Sequence, residues 1–555
     1  MKKYVFVFLL SIVLMLSNSF GQHRSPLNQV FQFMQTGTCT AWSDSSKTNA
    51  TVYLWIPENC RRLCGLLILC ANVPEHNLVG HPSIRKVCKE NNLGIIWSVP
   101  SFMNFRKSTS KENKTLNMAL EQRTTVNFLQ QLLNGLAQTS GYDEVATVPW
   151  LPMGESGHLL MVDALMDHSP ERCIAGIWIK NNHFPPLNRQ TPALVVYGTS
   201  QEWGQDKVDI RTNWNNIGKE YDGVINRRKE NPNWPLSYVI DGHSGHFDCS
   251  ERITQYFARY IDLAAKARLS SDGSNTLNPI VLNKGFVADL PVPGHENHPV
   301  RSWSATNPES NSFPWFFDKA SAKEGQSIAA INWKARTQLP AYLDSQGNVM
   351  PFNFNGITNI TSLDFEADGV TFAIKSVMLG SLPSNFVGAG ENLSKAATSP
   401  VVEWLCGPVA PFESGRLRIS LDRTWPNSAS YIALRQKGND TIRAIVEPAG
   451  INLKGLRNTK GKTQIITFEK LPDIKAGTKS ITLKAKSDSN LPVEFFVVAG
   501  PARIENGRII FTKIPPRSKY PVIVTVGAWQ WGSSTEPKVR TAEIAYQQFN
   551  ILKSN

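Results

Sequence analysis

Between residues 50 and 268, short apolar runs alternate with stretches of helical periodicity, and few folds accept that pattern. The runs at 51–56, 66–71, 94–99, 147–153, 173–179, 193–198 and 237–241 have strand length, and several are apolar throughout. A strand with no polar side must be covered on both faces of its sheet. The cover is present as well: Phe128, Leu129, Leu132, Leu133 and Leu136 recur at helical spacing, as do Ile253, Phe257, Tyr260, Ile261 and Ala264. Such alternation predicts an α/β domain over residues 22–269 with a doubly wound, mainly parallel sheet.

Past Leu269 the texture changes. Ser270-Ser271-Asp272-Gly273-Ser274-Asn275 is a polar linker, and no long helical period follows it. Asp368-Gly369 between two alternating runs reads as a hairpin turn. Ile481, Leu483 and Ala485 alternate with Thr482, Lys484 and Lys486 as in half-buried strands. The remainder is therefore expected to be all-β, a β-rich middle domain at 276–460 and a sandwich-like module at 463–551. Leu491-Pro492-Val493, Gly500-Pro501-Ala502 and the run 522–528 resemble the small immunoglobulin-like modules at the ends of bacterial secreted proteins. That resemblance implies a fold and no activity.

At 555 residues the chain has room for about three domains, each with its own core. With 41% apolar and 19% charged residues it is neither a disordered chain nor a coiled coil. Lys2 and Lys3, an apolar run to Leu16 and the small residues around Ser19 and Gly21 describe a signal peptide at 1–21. A periplasmic or secreted product cleaved near Gly21 is expected, with no membrane anchor, since no later run reaches membrane length. The formal charge of +13 falls by two when that segment leaves, and the remaining surplus suits an acidic polysaccharide or simply a basic surface. Lys and Arg are scattered, so nucleic acid is not expected as a partner. The eight cysteines allow 105 pairings. Cys60 and Cys64 lack a second closely spaced pair and are expected to be a disulfide or two buried thiols rather than zinc ligands.

All ten histidines lie at or before His298, which places any imidazole chemistry in the N-terminal half. The sharpest motif there is Met153-Gly154-Glu155-Ser156-Gly157-His158, between an apolar strand and a helical period. This is the strand–turn–helix setting of a nucleophile elbow, G-x-S-x-G, except that His158 replaces the last glycine. Downstream, the run 193–198 leads into a loop with Glu202 and Asp206, and 237–241 leads into Gly242-His243-Ser244-Gly245-His246-Phe247. Serine, acid and histidine thus follow successive strands in the order a hydrolase of this layout uses.

On those motifs residues 50–268 resemble an α/β-hydrolase, particularly the secreted esterases of bacterial polysaccharide-degrading systems. The resemblance implies that Ser156 attacks an ester carbonyl and that His246, rather than His243, takes and returns its proton. It implies Glu202 as the acid that orients the imidazole, with Asp206 the alternative. Oxyanion donors are expected at Gly157 and at Asn72 or Val73, and substrate contacts at Trp203, Trp97 and His243. The implied substrate is an acetyl, methyl or aromatic acyl ester of a polysaccharide or oligosaccharide. No metal or organic cofactor is implied. A serine peptidase on the same fold, or a carbohydrate-binding protein built on a degenerate hydrolase, remains the alternative.

Overall fold

The computed structural model describes residues 29–40, 47–101, 114–180, 190–200, 214–291, 299–305, 310–330, 335–353, 355–396, 398–427 and 429–554. The expected signal peptide, Glu202, Trp203 and Asp206 lie outside the described residues.

The seven apolar runs and one further strand, β1, form an eight-stranded sheet: β1 (Phe33–Thr40), β2 (Lys47–Trp55), β3 (Gly65–Cys70), β4 (Leu93–Val99), β5 (Trp150–Glu155), β6 (Gly176–Ile179), β7 (Ala193–Ser200) and β8 (Leu236–Gly245). Their spatial order is β1-β2-β4-β3-β5-β6-β7-β8. β2 runs antiparallel to β1 and to β4, and every pairing from β4 onward is parallel. Parallel strands need crossovers. The helices that precede, follow or join them are α1 (Val73–Leu78), α2 (Pro82–Glu90), α3 (Lys114–Ser140), α4 (Leu159–His168), α5 (Trp214–Glu230) and α6 (Glu251–Arg268).

Side-chain alternation divides each strand between two cores. From β3, Leu66, Ile68 and Cys70 enter one layer with Leu129, Leu133 and Leu136 of α3. Leu67 and Leu69 enter the other, with Ile84 of α2 and Ile253, Phe257 and Ile261 of α6. Trp97 of β4 belongs to this second layer and is 2% exposed. Its ring stacks on Phe31 at 5.6 Å and meets the edge of His76 at 5.1 Å. This corrects the expectation of Trp97 as a substrate contact: β4 is covered on both faces, and alternation points the indole into the protein. Trp150 and Trp234 are also in the core.

The segment after the linker packs on the same domain. Ala288, Phe316, Ala322 and Ile328 join the second core layer, and Ser237 Oγ of β8 donates to the Trp315 carbonyl at 2.6 Å. It contains α7 (Lys319–Ala329), capped by Asp318, which periodicity did not reveal because its buried face is built from Ser321, Ala322, Gly325 and Ala329 beside Ile328. Further on, strands Thr358–Ile360, Ile445–Ile451, Ser430–Gln436 and Val401–Cys406 form a sheet in that order. It shares a core of Phe372, Trp404, Leu417, Ile419, Ile432 and Leu434 with a smaller sheet. The C-terminal strands form further small sheets, of which the largest orders Ile474–Lys475, Ala545–Leu552, Val522–Trp529 and Glu494–Ala499. This end leans on the α/β domain through Gly500 N to Phe31 O at 2.9 Å and an Arg517–Glu144 ion pair at 3.0 Å. Among the described residues no two cysteines are bonded, and Cys60 and Cys64 are free thiols.

Trp97→Ala is expected to destabilise the protein by about 3–5 kcal/mol, the cost of a large cavity in a closed layer. Denaturant unfolding measures this. A loss near zero would return Trp97 to the surface.

Candidate active site

β5 delivers the serine. Ser156 has φ +53°, one of five non-glycine residues in the left-handed region among the described residues. That conformation costs about 1–2 kcal/mol and turns the chain sharply from β5 into α4. The turn closes tightly, so that a Cβ on Gly154 would lie 2.7 Å from the His158 carbonyl oxygen, and glycine is required there. His158 has ordinary helical backbone (φ −80°), so the absence of glycine at this position strains nothing. Its side chain is 8% exposed, with Nδ1 3.8 Å from Oε1 of the fully buried Glu75.

β8 delivers the imidazole. His246 follows its last residue, is 1% exposed, and places Nε2 2.9 Å from Ser156 Oγ. The two residues are ninety positions apart in sequence and form a direct hydrogen bond. Glu155 adds a contact the sequence did not suggest, with Oε1 3.2 Å from the same Nε2. Its carboxylate is held from the loop after β3, where Asn72 Nδ2 donates to Oε2 and, at 3.1 Å, to the Glu155 carbonyl. The Glu155 amide donates to Glu75 Oε1 at 2.8 Å. Next to Glu75, burial, aided by nearby His158, pushes the His76 pKa down to about 3 and keeps that ring neutral.

The loop that carries His246 is built around a buried cation. Lys180, at the carboxyl end of β6 with φ +50°, is wholly buried. Its Nζ lies 3.3 Å from Asp241 Oδ2 and donates to Ser244 Oγ at 2.5 Å, to the Gly245 carbonyl at 2.7 Å and to the Asp248 carbonyl. Asp241 also accepts from Ser250 N at 3.0 Å and Ser250 Oγ at 2.6 Å. Ser250 in turn caps α6 by accepting from Ile253 N. Burial alone would raise the Asp241 pKa, but Lys180 and the Ser244 and Ser250 donors outweigh it and hold the carboxyl below its usual range. The backbone on both sides of His246 is thus tied to one ammonium group.

Of the residues singled out in the sequence, Ser156, Gly157 and His246 meet at the carboxyl ends of β5 and β8, and the loop carrying Asn72 and Val73 lies beside them. His243 lies within β8. Glu155, Glu75, Lys180 and Asp241 were not singled out. The available signal for Lys180 and Asp241 was a lone charge at the end of an apolar strand. Among the described residues no group of three His, Cys, Asp or Glu side chains is arranged to hold a metal.

The strand order, the antiparallel β2 and the sharp turn after β5 give this domain the layout of the α/β-hydrolase fold. No family model and no curated protein matches the sequence. Solved structures do match. An S-formylglutathione hydrolase from Agrobacterium tumefaciens is 12% identical over 43% of this chain and 97% of that one, with a TM-score of 0.27. The siderophore hydrolase EstA from Aspergillus nidulans is 8% identical over 45% and 98%, at 0.28. A putative dipeptidyl aminopeptidase IV from Bacteroides ovatus is 12% identical over 42% and 36%, at 0.27. These likenesses do not choose a substrate.

Lys180→Met is expected to cost about 3–5 kcal/mol, because it strands the Asp241 charge in the interior, and Lys180→Met/Asp241→Asn should recover part of that loss. The depressed Asp241 pKa contributes stability that is present above the usual carboxylate range and is lost as pH falls through the folded value. Urea midpoints measured from pH 7 to pH 3 should therefore fall less steeply in Asp241→Asn than in wild type.

Proposed function

We propose that the chain is a serine esterase, secreted or periplasmic, that removes acetyl, methyl or aromatic acyl esters from a polysaccharide. The observation that carries the reaction class is the 2.9 Å contact between Ser156 Oγ, on a strained turn, and His246 Nε2. In the reaction Oγ attacks the ester carbonyl carbon while Nε2 takes its proton. The carbon–oxygen bond to the alcohol breaks, and the imidazolium returns the proton to the departing alkoxide. Water then enters, gives its proton to Nε2 and cleaves the acyl-enzyme, releasing the acid and restoring the hydroxyl.

Charge develops at two places. The imidazolium forms 3.2 Å from the Glu155 carboxylate, which stabilises it. The remaining orienting carboxylate is assigned to Glu202, with Asp206 as the alternative. The oxyanion is assigned to the amide of Gly157, which opens the turn after Ser156, and to an amide of Asn72 or Val73 at the start of α1. The N-terminal pattern supports export, and the positive surplus that remains once Lys2 and Lys3 are removed supports an acidic polymer as substrate.

Wild type should hydrolyse p-nitrophenyl acetate, and Ser156→Ala or His246→Ala should lower kcat/KM by at least ~10³-fold, as loss of a nucleophile or its base does. Acetate or methanol release from pectins, xylans and alginates identifies the polymer. Turnover of peptide nitroanilides without ester turnover would replace the esterase with a peptidase. Polysaccharide binding with neither activity would mark a retired hydrolase.

A further inference from the structure

We propose that Arg435, in the middle β domain, is a positioning residue for His246, so that this domain is a working part of the catalytic centre. The inference rests on the serine-hydrolase reading above. The loop from Ser244 to Ser250 is tied inside by Lys180, which takes the carbonyls of Gly245 and Asp248. The Asp248 side chain points the other way, out of the α/β domain. There Arg435 Nη2 donates to its Oδ2 at 2.9 Å, and Arg435 Nε donates to Glu403 Oε2 at 2.6 Å. Arg435 and Glu403 lie on adjacent strands of the middle domain's sheet, Ser430–Gln436 and Val401–Cys406. Two nitrogens of the guanidinium are fixed by two carboxylates, one from each domain, a geometry that a lysine cannot reproduce. The three side chains are 27, 10 and 16% exposed, so the network is less screened than an ordinary surface pair.

Between His246 and Asp248 stands Phe247. Its ring packs on His246 at 4.8 Å and stacks on Tyr431 of the same middle-domain strand at 5.8 Å with only 9° between the planes. The same sheet also reaches the loop after β3. Asn77 Nδ2 of α1 donates to the Leu405 carbonyl at 2.9 Å, and Val73 packs among Leu405, Cys406, Ala433 and Val446. One sheet outside the α/β domain therefore grips both loops that flank Ser156. Displacements of about 1 Å at a reacting pair can cost ~10²-fold in rate, and the Asp248–Arg435 link acts two residues from the imidazole.

The test uses the full chain: wild type, Arg435→Met, Arg435→Lys, and Arg517→Met as a control that breaks a different interdomain pair, with Glu144. Kinetics on p-nitrophenyl acetate are read beside the thermal midpoint. The His246 resonance is read from [13Cε1]histidine NMR and assigned with His246→Asn. Arg435→Met should lower kcat ~10–100-fold with KM changed less than about twofold, and should shift or broaden the His246 signal. Arg435→Lys should recover part of kcat, and Arg517→Met should leave kcat and the signal as in wild type. Wild-type kcat with an unmoved His246 signal in Arg435→Met overturns the proposal, and so does an equal kcat loss in Arg517→Met. If wild type turns over no ester and Ser156 takes no fluorophosphonate, the hydrolase reading has failed. The His246 signal then still decides whether Arg435 positions the ring.

Discussion

The centre of this molecule depends on one ammonium group with no access to water. Taking Lys180 and Asp241 out of solvent costs several kcal/mol per ion even after relaxation, and their mutual attraction offsets that only when the remaining donors and acceptors are used. Here they are. Lys180 meets Asp241, one hydroxyl and two carbonyls, and Asp241 meets Lys180 and the Ser244 and Ser250 donors. These groups, Ser244, Gly245, Asp248 and Ser250, belong to the segment that carries His246. The desolvation cost is thereby converted into a fixed loop, and a loop at the end of β8 can hold an imidazole as firmly as a strand would. Ser156 is fixed differently. Its strained turn persists because β5 is paired on both sides and Gly154 lets the chain close beneath it.

The parts of the fold legible in the sequence are those where periodicity carries the burial. Wholly apolar runs can only lie in a covered sheet, so the strands from 51–56 to 237–241 and the helical faces around Leu132 and Phe257 could be read directly. β1 was not read, because Gln35, Thr36, Thr38 and Thr40 give the run Phe33–Thr40 a polar look. The helix of Lys319–Ala329 escaped for the opposite reason: alanine, serine and glycine bury a face without hydrophobic bulk. Ser156 and His246 were legible because elbow chemistry and chain order are local signals. Lys180, Glu75 and Glu155 were not. A buried charge is defined by its partners, which lie 61 to 83 residues away in sequence. Trp97 illustrates the converse ambiguity, since an indole at a strand end suits a sugar face and a core equally well.

If the centre is that of an esterase, as proposed, Glu155 has a consequence for the kind of ester it takes. Its carboxylate lies 3.2 Å from Nε2, and Nε2 lies 2.9 Å from Oγ, so an ionised Glu155 stands within about 6 Å of the attacking oxygen. At that range and an effective dielectric near 20, a second negative charge is opposed by ~3 kcal/mol. The repulsion acts on the oxyanion too, so the amide donors and the imidazolium must exceed it, which makes His246 charging and acyl transfer interdependent. It acts more simply on ligands. On the esterase proposal a neutral acetyl or methyl ester meets no such repulsion at Ser156, while a free carboxylate at the same point is disfavoured, even though the chain as a whole carries a positive surplus. On the polysaccharide-ester proposal, an acidic polymer would be drawn to the protein by its general charge and admitted at the serine only where esterification has neutralised it. A methyl ester, once cleaved, would leave a carboxylate facing Glu155, and the same repulsion that excluded the bare polymer would expel the product.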